Sequence, residues 1–106
     1  MIPFLETFST SYGSIVNLKF NDVTKVKIGT LQISNAAPSG YTDNSYFAIY
    51  DLNDSATVYK KTKGTTLSDI EIDVSNCSGI LIRLSTSRSS TDDTRMFVTV
   101  NGLLIT

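Results

Sequence analysis

Ile70-Glu71-Ile72-Asp73-Val74, Ser75-Asn76-Cys77-Ser78-Gly79 and Ile80-Leu81-Ile82-Arg83-Leu84 follow one another without a break. The fold class is decided here. Ile70, Ile72 and Val74 alternate with Glu71 and Asp73, which gives a strand one apolar face and one wet face. The small polar run turns the chain. On the return, Ile80, Ile82 and Leu84 alternate with Leu81 and Arg83. A helix would need apolar residues recurring every three or four positions, and no segment of the chain sustains that period.

The same alternation extends in both directions. Ser14 to Phe20 sets Val16, Leu18 and Phe20 against Asn17 and Lys19, and a further strand is expected around Phe4 to Phe8. From Lys25 to Ser34 the apolar phase begins at Val26 and Ile28, then slips by one to Leu31 and Ile33. A two-residue period cannot change face unaided, so a β-bulge or bend is predicted near Gly29. Turn formers over Asn35 to Asn44 mark a loop. Strands follow at Ser45 to Asp51 and Ala56 to Lys60, and Lys60 to Thr66 reads as an exposed connection. Met96, Val98 and Val100 form another strand. Asn101-Gly102 suits a type I′ turn, with Leu103 to Thr106 as the second arm of that hairpin. The expected total is eight or nine strands.

Composition agrees. In 106 residues there are 7 valines, 10 isoleucines and 14 threonines, the residue types that favour strands. The length fits a single β-sandwich domain over 1–106. Short antiparallel strands with one polar face each predict an all-β, two-sheet antiparallel sandwich. A jelly roll is the first expectation, an immunoglobulin-like sandwich the second and an oligonucleotide-binding barrel the third.

Absences and charge narrow the function. The chain has no histidine, which removes Ser-His-Asp and Cys-His chemistry and imidazole metal ligands. One cysteine permits no internal disulfide and no cysteine-built zinc site. Cys77 is expected to be a small buried apolar residue. A net charge of −1 argues against binding nucleic acid through phosphates. No apolar run approaches the roughly 20 residues of a membrane span, and no secretory signal is visible at Met1 to Glu6, so synthesis in the cytoplasm is expected.

Few constellations remain. Glu71 and Asp73 share a face about 7 Å apart, within the range a glycosidase pair requires, yet an exposed Glu-x-Asp is ordinary strand solvation. No enzymatic activity is expected. Asp51, Asn53 and Asp54 suggest an irregular oxygen-ligated calcium site, the sole cofactor to consider, against the favoured reading of an Asx-type turn. Alternation puts Phe47 and Ile49 on one face and Tyr46, Ala48 and Tyr50 on the other. Outward tyrosines supply apolar rings and hydroxyls for stacking on a sugar, while cross-strand pairing or a subunit interface explains them equally. Tyr41 and Tyr12 sit in turn-rich stretches, and Tyr41 is expected to contribute to the same ligand from its loop. Arg88 and Arg95 bracket a hydroxyl-rich loop holding Asp92 and Asp93. Either this loop hydrogen-bonds a polyol, or Arg95 pairs with an aspartate and ties the loop down.

Residues 69–84, followed by Asp92-Asp93-Thr94-Arg95-Met96-Phe97-Val98-Thr99-Val100, resemble the closing strands of galactose-binding-like jelly rolls. In that superfamily an Ile-x-Ile-Asp-Val-Ser strand leads through a small turn to Gly-Ile-x-Ile-Arg-Leu. Such modules occur as accessory domains in phage tail and baseplate proteins and in bacterial cell-wall-associated enzymes. The resemblance covers the last third of the chain. It implies a recognition module for cell-surface saccharide, in a virion or at a bacterial surface, but the family's binding loops vary too much to carry residues over. The expected ligand-binding set comes from the residues themselves: Tyr41, Tyr46 and Tyr50 for stacking, and Arg88, Asp92, Asp93 and Arg95 for hydrogen bonding. The rival expectation is a structural virion subunit that binds other virion proteins or itself, as a homo-oligomer, through the tyrosine face.

Overall fold

In a computed structural model, the backbone of residues 4–11 and residues 14–35, 43–86 and 96–106 are described. Eight strands run in chain order: β1 (Phe4–Ser11), β2 (Ile15–Asn21), β3 (Lys25–Ile33), β4 (Tyr46–Asp51), β5 (Thr57–Thr62), β6 (Thr66–Asp73), β7 (Gly79–Ser85) and β8 (Phe97–Ile105). The described residues contain no helix.

Each strand finds a partner from the other end of the chain. β1 pairs with β8, β2 with β7, β3 with β6 and β4 with β5, all antiparallel. The polypeptide is thus one long hairpin folded over on itself, with its tip between β4 and β5. Pairings of β3 with β8 and β4 with β7 close two four-stranded sheets, ordered β1-β8-β3-β6 and β2-β7-β4-β5. The chain changes sheet at every connection except the tip. This is the topology of an eight-stranded jelly roll, the expected fold.

The alternating apolar residues meet between the sheets. Val26, Ile28, Leu31, Ile33, Val98, Val100, Leu103 and Ile105 come from the first sheet, and Phe47, Ile49, Ile80, Ile82 and Leu84 from the second. Burying a side chain of this kind stabilises the fold by about 1.5–3 kcal/mol. Tyr59 packs edge-on against Phe47, with ring centroids 6.1 Å apart and planes at 71°.

Two local expectations are corrected. Asn101-Gly102 makes no hairpin, because β8 runs through it and stays paired with β3 from Ile33↔Val98 to Val26↔Ile105. A type I′ turn needs positive φ at both residues, and only Gly102 has it, at 70°. β8 lies between two neighbours, so folding it back would break both ladders. The phase slip near Gly29, expected as a bulge or a bend, runs through β3, β6 and β8 together, while β8 carries an extra residue against β1 between the pairs Glu6↔Leu103 and Phe8↔Val100. Register with β6 and β8 is the same on both sides of Gly29, and the inward face slips at matching levels in each. Asp69 and Gly102 flank Gly29 on that line, both at positive φ, 54° and 70°. Lys60 to Thr66 is also shorter as a connection than expected, since β5 continues to Thr62 and β6 begins at Thr66.

Candidate functional site

β4 is central in the second sheet, with Phe47 and Ile49 buried in the core. Alternation then turns Tyr46, Ala48 and Tyr50 to the opposite face, as expected. Register sets the neighbours in rows. Tyr46 stands beside Ser85 and Thr62, Ala48 beside Arg83 and Lys60, and Tyr50 beside Leu81. β2 extends those rows with Ile15, Asn17 and Lys19 opposite Ser85, Arg83 and Leu81.

Arg83 organises this face. Its Nε donates to Asn17 Oδ1 at 2.8 Å, and its guanidinium lies 5.4 Å from the Tyr50 ring centroid. Lys60 Nζ sits 4.7 Å from the centroid of Tyr46. Cations over aromatic faces at such distances are attracted by about 0.5–1 kcal/mol at exposed sites. Beneath these long side chains Ala48 is 0% exposed, although it points away from the core.

The two phenols differ. Burial pushes Tyr46 up, but hydrogen bonding to Arg83 and the Arg83 charge prevail, aided by Tyr50 and Ser85, and hold it below the ordinary tyrosine value. Burial raises Tyr50, and the neighbouring Tyr46 raises it further against the opposing pull of Arg83. The pair is one hydrogen-bonded unit around a guanidinium.

Two shallow depressions border it. One, about 430 Å³, is lined by Asp43, Asn44, Ser45, Tyr46, Lys60, Thr62 and Lys63. The other, about 270 Å³, lies between Tyr50, Asp51, Leu52, Ser55, Leu81 and Arg83. Below the first is a buried polar knot that fixes the start of β4. Ser34 Oγ donates to Asp43 Oδ2 at 3.0 Å and lies 3.2 Å from Ser45 Oγ, while the amides of Ser45 and Phe97 donate to Asp43 Oδ1 and Ser34 Oγ at 2.9 and 3.0 Å. It joins the end of β3 to the starts of β4 and β8.

Asp51, Asn53 and Asp54 form the tip of the folded hairpin. Asp51 Oδ1 accepts the Asn53 amide and Asp54 Oδ1 the Ala56 amide, both at 2.9 Å, with Ser55 at φ 61°. Both carboxylates cap Asx turns. Among the described residues no group of three acidic, cysteine or histidine side chains is placed to hold a metal ion. Cys77 is half-buried instead of fully buried, at the edge of the core. Burial, then the charge and hydrogen bond of Asp51, push its thiol up and away from thiolate reactivity.

Glu71 and Asp73 are ordinary exposed carboxylates. Glu71 binds Lys25 at 2.8 Å and Lys27 at 3.9 Å, and Asp73 caps the Ser75 amide at 2.8 Å. Tyr41, Arg88, Asp92, Asp93 and Arg95 lie outside the described residues. Of the expected ligand-binding set, Tyr46 and Tyr50 are brought together. Arg83 falls outside that set, although its outward phase on the strand is readable in the sequence.

No family model and no curated protein matches the chain. Several solved structures are distantly similar. They include the VP2 subviral particle of infectious bursal disease virus, 18% identical over 98% of this chain and 33% of that one, with a TM-score of 0.39. The Gx strain of the same virus gives 20% identity over 99% and 32%, with a TM-score of 0.36. Its T13 viral particle gives 17% over 97% and 30%, also at 0.36. The chain spans about a third of the length of these proteins. Likenesses this distant assign neither family nor function, and the jelly roll stands on strand order alone.

Proposed function

We propose that the chain is a non-enzymatic structural subunit, of the kind that builds a virion, which docks in an assembly through the outer face of the β2-β7-β4-β5 sheet. The composition of that face carries the reading. Tyr46, Tyr50 and Arg83 are residue types enriched at interface cores, and Ile15, 53% exposed, and Val58, 36% exposed, add apolar area at its margins. Lys19, Lys60 and Arg83 are its cations, and Asp51, at the end of β4 beside Tyr50, is the one carboxylate these four strands carry. With nine basic and ten acidic residues in the chain, removing those three leaves six against ten. The face therefore complements the acidic remainder of another copy, which favours head-to-tail contact.

Sedimentation velocity across a wide concentration range tests this. Association that weakens with salt and is lost in Arg83→Glu and Tyr50→Ala, with unchanged melting, supports it. A strict monomer at the highest soluble concentration overturns it.

The 270 Å³ depression beside Tyr50 favours one second reading. Its aromatic wall, guanidinium, carboxylate and hydroxyl are groups that bind a saccharide ring. The galactose-binding-like resemblance of residues 69–84 points the same way, to cell-surface saccharide recognition in a phage-type tail or baseplate. Retention on bacterial cell walls that Tyr50→Ala abolishes supports this reading, and no retention of the wild type dismisses it.

A further inference from the structure

We propose that the edge of β2, which no strand of the described residues covers, pairs antiparallel with β2 of a second copy, centred on Leu18, to join two four-stranded sheets into one. The phase of β2 is fixed by its ends. The Thr86 amide donates to the Ser14 carbonyl at 3.0 Å and the Asp22 amide to the Ser78 carbonyl at 3.4 Å, so residues 14 and 22 face β7. Antiparallel hydrogen bonding alternates along a strand. Val16, Leu18 and Phe20 therefore spend their backbone groups on β7, while Ile15, Asn17, Lys19 and Asn21 present theirs at the open edge.

The other edges carry features that hinder pairing. β1 shifts register between Glu6 and Phe8. β5 is opposed by a register shift between Ile49 and Tyr50 and carries Lys60 and Lys61. β6 has Asp69 at φ 54°. β2 has none of these. Its register with β7 is unbroken from Ile15 to Asn21, and it holds no proline and a single lysine. Bulges, lysines and prolines are how proteins keep sheet edges apart, and a long regular edge without them invites another strand. Val16, Leu18 and Phe20 remain half-buried although they face the core, so an added strand also covers apolar surface.

Self-complementarity makes the occupant a second copy. Centred on Leu18, the pairing sets Asn17 against the partner's Lys19 and Ile15 against the partner's Asn21. Every outward amide and carbonyl of the strand is then used, and lysine meets asparagine. A centre at Asn17 or Lys19 leaves strand ends unpaired, and at Lys19 sets two lysines face to face. Unlike the head-to-tail contact proposed above, this one is isologous and closes at a dimer.

The test is sedimentation equilibrium of the full chain carrying Tyr50→Ala, which silences the tyrosine face and lets the two interfaces fail separately. A concentration-dependent dimer is expected. Lys19→Pro removes an outward amide without touching the β7 ladder and gives a monomer with unchanged circular dichroism. Asn17→Asp keeps an acceptor for Arg83 and places a carboxylate against the partner's Lys19. It tightens the dimer about 2- to 30-fold across the two equivalent pairs, whereas Asn17→Lys loosens it. Should the proline variant not fold, the Asn17 pair still decides. A monomer at all concentrations, a dimer weakened by Asn17→Asp, or one indifferent to both Asn17 variants overturns the proposal.

Discussion

Replacing Gly29 by alanine tests the line along which the first sheet bends. Gly29 has no need of left-handed backbone, so propensity alone favours alanine there, by about 0.4–1 kcal/mol from the smaller entropy of the unfolded chain. The structure predicts the opposite sign. A Cβ on Gly29 would lie 2.9 Å from the Asn101 carbonyl oxygen, a backbone atom held in the neighbouring strand. Relief requires β3 and β8 to part at the middle of their ladder, and overpacking of that sort costs about 1–3 kcal/mol. The net loss lies within about 0–2.6 kcal/mol and centres on about 1.3 kcal/mol, or a melting temperature lower by roughly 5–10 °C at that centre for a domain of this size. Urea denaturation followed by circular dichroism measures it, with an unchanged m-value showing that the unfolded state is the same. Gly102→Ala is the companion. Its Cβ would meet only the Gly29 backbone at 3.6 Å, an ordinary contact, so its loss of about 1–2 kcal/mol comes from φ 70° instead of from a clash. A Gly29→Ala that stabilises the fold would refute the close approach and the shared bend built on it.

Ser34→Ala removes the hydroxyl that receives the Phe97 amide and donates to buried Asp43. A loss of about 1–3 kcal/mol is expected in the same denaturation assay, and a loss below about 0.3 kcal/mol would mean the knot holds without it. The phenols give a pH signature. Tyr46, held below the ordinary value of 10.0, contributes stability above its unfolded pKa that is lost as pH falls through its folded pKa. Tyr50 and Tyr59, both raised, contribute below 10.0 and lose that stability as pH rises through their folded values. Ultraviolet titration should show one phenol ionising ahead of the others, and Arg83→Gln should abolish the early step; an early step that persists would remove Arg83 as its cause. A calcium chelator should leave the melting temperature unchanged, because Asp51 and Asp54 already accept turn amides. A fall of more than about 2 °C would show a bound ion instead.

How far the sequence is legible depends on whether a feature is local. Ile70 to Leu84 gives two strands because burial on one face writes itself as alternation, and that holds for most of the eight. Asn101-Gly102 misleads because turn propensity is local, whereas two ladders on either side of β8 keep it extended. The slip at Gly29 is visible, but its cause is not, since Asp69 and Gly102 reach that level only through pairing. At the site the logic is the same. Tyr46 and Tyr50 are readable as outward because Phe47 and Ile49 must be inward. Arg83 is readable as outward too, yet its place between the tyrosines depends on the register of β7 with β4. That register is set by the whole wound hairpin and not by either strand.

The central claim, that the outer face of the β2-β7-β4-β5 sheet is the docking surface, is tested most directly by hydroxyl-radical footprinting of the assembled and the dilute chain. Phe97, 38% exposed on the other sheet, serves as the internal reference. Tyr46 and Tyr50 should lose labelling on assembly while Phe97 keeps its own. Protection of Phe97 with both tyrosines still labelled would place the contact on the opposite sheet and contradict the account.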